Sequence, residues 1–219
     1  MGELLGRVIP LALGAAVSPA VLTVGVLILS SPRRPVARGV AFAAGTMTVL
    51  LGLTALGLLV LDRFNAHHPS ATQRAVTDAV DVTLGIVLLA LALRTVLRGR
   101  DPTVESAPRS PRDQGGIATA YGLGIVMMVT NLSTIVLYLA AVKTIGRADV
   151  SDADQAVALL VALVITSLPA TIPLLLRVVV PGPSQRTLAN LDGVMTRHRR
   201  AIVVTVEVIF GVYLVVKGI

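Results

Sequence analysis

Two carboxylates stand inside apolar stretches of this sequence in matching surroundings. Asp81 and Glu207 each follow an Arg-Ala pair, Arg74-Ala75 and Arg200-Ala201, with the arginine seven residues before the acid, and each is followed four residues later by a glycine, Gly85 or Gly211. The step from Arg200 to Glu207 is about 10 Å along a helix. A carboxylate that far inside an apolar run is costly in a bilayer unless it is protonated, paired or turned toward a cavity. Asp81 and Glu207 are therefore candidates for carrying a proton. The competing reading is an interfacial acid paired with Arg74 or Arg200, and it suits Asp78, one turn before Asp81, best.

A second chemistry belongs to helix breaks. Ser18-Pro19 interrupts the first apolar run, and Thr130-Asn131 occupies the corresponding depth in the fourth. Proline removes a helical hydrogen bond, and serine or asparagine caps a restarted helix. Two restarted helices aiming free N–H groups and positive dipole ends at one cavity would bind a carboxylate or phosphate. The candidate substrate-binding residues are Ser18, Pro19, Thr130, Asn131 and Ser133; the alternative is an ordinary proline kink packed by hydroxyls. Pro169 and Pro173, one turn apart in the fifth run, form either a hinge or a static kink. His67 and His68 are adjacent with no local carboxylate cluster, so no metal site is assigned. No phosphate-binding glycine loop, nucleophile elbow or zinc-protease motif occurs, and the chain is read as a non-enzyme without cofactor, proton coupling aside.

These groups need elements to position them. Apolar runs long enough to cross a bilayer fall near 4–31, 37–61, 75–97, 117–143, 155–180 and 200–217. The composition, 54% hydrophobic and 14% charged with a mean hydropathy of +0.83, lies outside the range of soluble domains. The first run lacks a basic leader and is taken as a mature span. Cysteine is absent, which excludes a disulfide framework and a dithiol relay. The net charge of +7 sits in short connections, and aromatics are only 3%, too few for base stacking, so nucleic acid is excluded as a partner. Thirteen of the nineteen Lys and Arg residues fall on the side reached after spans one, three and five. Positive residues collect in the cytoplasm, so both termini are expected outside a bacterial inner membrane.

The acids reveal a duplication. Residues 74–88 align without gaps on 200–214. With three spans per copy, the second copy enters from the opposite face, which is the inverted-topology plan of many secondary transporters. The predicted fold is all-α and integral to the membrane, with six transmembrane helices as two inverted three-helix repeats and helices 1 and 4 broken near the midplane. Repeat one covers 1–97, a cytoplasmic linker 98–116 and repeat two 117–219.

Leu13-Gly14-Ala15-Ala16-Val17-Ser18-Pro19, the turn Ser31-Pro32-Arg33-Arg34 and the run from Gly39 to Gly45 resemble the opening of the lysine exporter (LysE) superfamily. The ending, Leu191 to His198 and Gly211-Val212-Tyr213-Leu214 through Lys217-Gly218, is similar to its actinobacterial peptidoglycolipid-addressing (GAP, or Sap) branch. The likeness covers nearly the whole chain. Two positions depart from the pattern: Asn131-Leu132-Ser133 stands in place of Asn-Pro-Lys, and Val194 replaces an aromatic. The resemblance implies a secondary transporter, independent of ATP, exporting or flipping an anionic or zwitterionic substrate. A cell-envelope lipid or glycolipid precursor is favoured, with a small amino-acid-like solute or an accessory role in an envelope-lipid export machine as alternatives. The implied partners are membrane lipid and the substrate, with a homodimer or a larger machine as further candidates. A membrane enzyme acting on lipid finds no catalytic constellation in the sequence.

Overall fold

Long apolar sequence without strand-breaking alternation satisfies its backbone within itself, as a chain in lipid must. The computed structural model describes the backbone of residues 1–31, 33–64, 71–98, 116–179 and 184–219. Among these residues every regular element is helical: α1 (Gly2–Ala16), α2 (Pro19–Leu29), α3 (Pro35–Phe64), α4 (Ala71–Arg98), α5 (Ile117–Thr130), α6 (Leu132–Gly146), α7 (Asp152–Val179) and α8 (Ser184–Lys217). His67, His68 and residues 99–115 of the expected linker lie outside the described residues.

Three stretches are long and apolar enough to cross a membrane by themselves: Pro35–Leu61, Asp78–Leu97 and Asp152–Val179. Only 17–33% of their most apolar windows is buried within the protein, so most of that surface faces outward and requires lipid. The runs read as single spans over 4–31 and 117–143 are each two helices. α1 and α2 meet at a bend of 57°, and α5 and α6 at 75°. The last run, 200–217, is the end of a helix that begins at Ser184; its first half carries Arg197, His198, Arg199 and Arg200.

Both ends of the chain come to one end of the bundle. Met1 and Lys217 border the same cavity, with Asp78 and Asp81 at the start of α4 and Lys143 and Arg147 at the finish of α6. Gly146 packs on Leu61 at the end of α3, and Gln155 of α7 donates to the Ile145 carbonyl at 3.3 Å. α1, α4 and α7 therefore run away from this end, and α3, α6 and α8 run toward it.

Small residues let the helices approach, as packing in lipid requires. A Cβ on Gly85 would lie 2.7 Å from the Gly211 carbonyl oxygen, and one on Gly211 would lie 3.2 Å from that of Gly85. The α4–α8 crossing is thus reciprocal about two glycines. Gly45 of α3 and Gly124 of α5 form a second backbone contact, with a Cβ on either driven into the Tyr121 or Phe42 carbonyl. Between these crossings lies a core of Val8, Leu11, Leu50, Leu137, Tyr138 and Leu214.

The crossing sets a stability expectation. Gly85→Leu drives a side chain into the Gly211 carbonyl oxygen at 2.7 Å and the Val215 backbone nitrogen at 2.9 Å, and is expected to cost about 3 kcal/mol. Gly52→Leu, with open space around its Cβ, is expected to be neutral. Unfolding of both variants in mixed micelles checks the difference.

Candidate functional site

Both helix breaks are built by capping. α1 ends at Ala16, Ser18 takes a non-helical conformation, and Pro19 opens α2 at the first helical position, where its fixed φ fits and its missing N–H leaves no orphan. Ser18 Oγ accepts the Val21 N–H at 3.4 Å. Asn131 repeats the device before α6, its Oδ1 accepting the Thr134 N–H at 3.4 Å.

The two caps also bind each other. Asn131 Nδ2 donates to Ser18 Oγ at 2.7 Å, and Thr134 Oγ1 donates to the Ala15 carbonyl at 2.9 Å, satisfying an acceptor at the end of α1. Ser18 and Asn131 are buried. Ser18 and Pro19 are thus brought together with Asn131, and the N-termini of α2 and α6 converge on one polar junction. Thr46, Thr166, Ser167 and Pro169 close it around a cavity of about 10 Å³, room for no more than one water. The Thr166 hydroxyl, on a residue only 3% exposed, has no hydrogen-bond partner among the described residues.

The other expected residues divide. Thr130 turns away and donates to the Val126 carbonyl of its own helix at 2.8 Å. Ser133, in the first turn of α6, donates to Glu207 Oε1 at 2.5 Å. Glu207 is 2% exposed, so the serine that replaces the lysine of the resembled pattern is the side chain that meets the buried acid. The positive end of α6 lies beside this carboxylate and offsets part of the cost of its burial. α7 runs unbroken through Pro169 and Pro173. Both prolines pack toward α2 at Gly25.

Asp81 has a different setting. It is 3% exposed and pairs with Lys143 Nζ at 2.8 Å and Lys217 Nζ at 3.6 Å. Of the two arginines in the competing reading, Arg200 donates to the Val96 carbonyl, and the Arg74 side chain lies outside the described residues. Asp81 and Glu207 each lie four residues before the glycine at the α4–α8 crossing. They therefore flank that crossing by about 6 Å along oppositely directed helices. Asp81 forms the floor of a half-open cavity of about 560 Å³ at the end of the bundle carrying the termini. Arg147 lines the same cavity, its guanidinium lowered from its ordinary value by burial and held up in part by Asp81 and Asp78.

Lys143, Lys217, Thr134 and Thr166 go unidentified in the sequence. The lysines serve there only to orient the chain, yet that same orientation puts both on the side of Asp81, which was the available signal. The threonines carry none, because hydroxyls in membrane helices usually bond their own backbone.

A family model described as Sap, sulfolipid-1-addressing protein, matches residues 8–219. No curated protein and no solved structure matches the chain. The family match takes in both caps, both buried acids and both lysines, so the chain belongs to the Sap, sulfolipid-1-addressing protein, family.

Proposed function

We propose that the protein is a secondary exporter that moves an anionic envelope lipid or glycolipid precursor outward across the inner membrane without ATP. The observation that carries this reading is the meeting of two helix breaks from opposite halves of the chain, Asn131 Nδ2 on Ser18 Oγ. Paired broken helices aiming their N-termini at one point are what transporters of other folds use to hold an anionic group. The family's description supplies the lipid connection.

Six crossings in two inverted repeats fit this reading. Three unbroken spans and two bent pairs make five, an odd number, whereas both termini border one cavity. The apolar end of α8 supplies the sixth. The packing also exchanges between halves: α1 with α7 is matched by α5 with α3, α2 with α7 by α6 with α3, and α2 with α8 by α6 with α4. The bias of Lys and Arg toward the opposite end supports a cytoplasmic linker and outward termini. Asp81 and Glu207 are the proposed proton carriers. Since about 10 Å³ at the caps admits no substrate, this conformation is a closed one, and rocking of one repeat against the other would open the site.

The mixed charge of the large cavity favours one second reading, export of a small zwitterionic solute, in line with the wider lysine-exporter likeness. Proteoliposomes separate the two when loaded with a fluorescent anionic lipid or with radiolabelled lysine or alanine, with and without a proton gradient. Lipid movement accelerated by the gradient is expected; movement of an amino acid instead selects the second reading, and movement of neither overturns both. Glu207→Gln is expected to slow transport at least about tenfold, roughly 1.4 kcal/mol in the barrier, with helicity and insertion retained. Asn131→Leu, which breaks the cap pair, is expected to do the same, whereas Thr130→Val leaves the rate unchanged. An Asn131 variant at full rate would place the substrate elsewhere.

A further inference from the structure

The chain contains nineteen basic side chains, and seventeen are arginine. The remaining two, Lys143 and Lys217, lie on different helices 74 residues apart, and both reach the same carboxylate, Asp81. Two ammonium groups around one carboxylate leave the floor of the cavity with a net charge of +1. Over the whole wall the four acids Glu3, Asp78, Asp81 and Asp149 balance the four bases Arg7, Lys143, Arg147 and Lys217, so the excess is local to the floor. Glu3 and Arg7 pair with each other at 2.6 Å, on side chains 82% and 61% exposed. Arg147 lines the same wall, where Asp81 and Asp78 act on its guanidinium, and Asp149 borders the cavity beside it. The positive excess is held deep: the Lys143 side chain is 11% exposed and that of Lys217 is 32%.

The choice of lysine matters. Arginine grips a carboxylate with a rigid planar fork, whereas lysine offers a compact charge with three donors on a flexible stem, able to pass from one oxygen ligand to another. Lys217 already divides its contacts between Asp81 and the Thr144 hydroxyl, at 3.6 and 3.4 Å. A cavity of about 560 Å³ lies within the range that holds a small ligand or a lipid headgroup.

We propose that Lys143 and Lys217 form a binding site for one anionic oxygen group, a sulfate or phosphate ester, in which Asp81 is an internal counter-anion that the ligand displaces. The site lies at the end of the bundle carrying the termini and is separate from the junction of the caps. Its place on the export route rests on the function proposed above; its anion binding does not, and is measured without transport. The sign of the Asp81 effect distinguishes the site from a structural ion pair. An internal competitor weakens ligand binding, so its removal strengthens it; a structural pair, once broken, disorders both lysines.

The two lysines permit a direct test. Reductive ¹³C-methylation of the full chain in zwitterionic nanodiscs labels Lys143 and Lys217, along with the terminal amine, and keeps their charge. Sodium sulfate, an acylated sugar sulfate and glycine are each titrated in. Saturable shifts of both lysine resonances are expected with a sulfate probe. Equal affinity for the two sulfates indicates a site for the free anion, and a preference for the acylated probe indicates a headgroup site. Asp81→Asn is expected to raise the affinity about tenfold, and Lys217→Gln to lower it about tenfold at the Lys143 resonance. If Asp81→Asn does not insert, Lys217→Gln alone decides. The assignment is overturned by the absence of saturation with either sulfate, by tighter binding of glycine, or by weaker binding in a folded Asp81→Asn protein. A transport failure with intact sulfate saturation would remove the export reading and leave this site standing.

Discussion

Breaking a helix inside hydrocarbon exposes backbone groups that water cannot reach, each costing several kcal/mol if left unpaired. This chain does so twice, after Ala16 and after Thr130, and satisfies each break with the other. Asn131 caps its own helix through Oδ1 and holds the opposite cap through Nδ2, while Thr134 reaches the carbonyl of Ala15. Each cap is local, but the Asn131 amide and the Ala15 carbonyl find these partners across the two halves. The two halves must dock for the polar groups to be paired, which makes the cap junction both the condition for folding and the place where a rearrangement would expose two helix N-termini together.

Docking in turn depends on how near the helices come. At the α4–α8 crossing Gly85 and Gly211 meet backbone to backbone, and at the α3–α5 crossing Gly45 and Gly124 do the same. In lipid no hydrophobic force drives helices together, so close contact and hydrogen bonds must supply the association. The crossing also fixes depth. Asp81 and Glu207 lie one turn from it on oppositely directed helices, which sends one acid toward the large cavity and the other toward the caps.

The parts legible in the sequence are those enforced by local chemistry. Ser18 before Pro19 and the capping side chain of Asn131 announce the breaks, and the gapless match of residues 74–88 with 200–214 picks out the two helices that cross at Gly85 and Gly211. Contacts between distant segments are another matter. Thr130 and Ser133 look equally suited to a ligand site, but their positions on the turn send one hydroxyl back to Val126 and the other to Glu207. No periodicity reveals that Lys143 and Lys217 share a carboxylate, because the pairing depends on where α6 and α8 end relative to α4. The length of α8 is obscured for a related reason: Arg197 to Arg200 interrupt the hydropathy, while the helix continues through them.

Asp81 and Glu207 share matching sequence surroundings but have unlike structural neighbours. Glu207 accepts a hydrogen bond from the Ser133 hydroxyl in the first turn of α6. Asp81 lies between two ammonium groups. Under the inverted-repeat plan proposed above, the same position faces the caps in one half and the large cavity in the other. In the exporter proposed above, the unlike neighbours, Ser133 beside Glu207 and the chain's two lysines beside Asp81, would give the two acids different parts in transport.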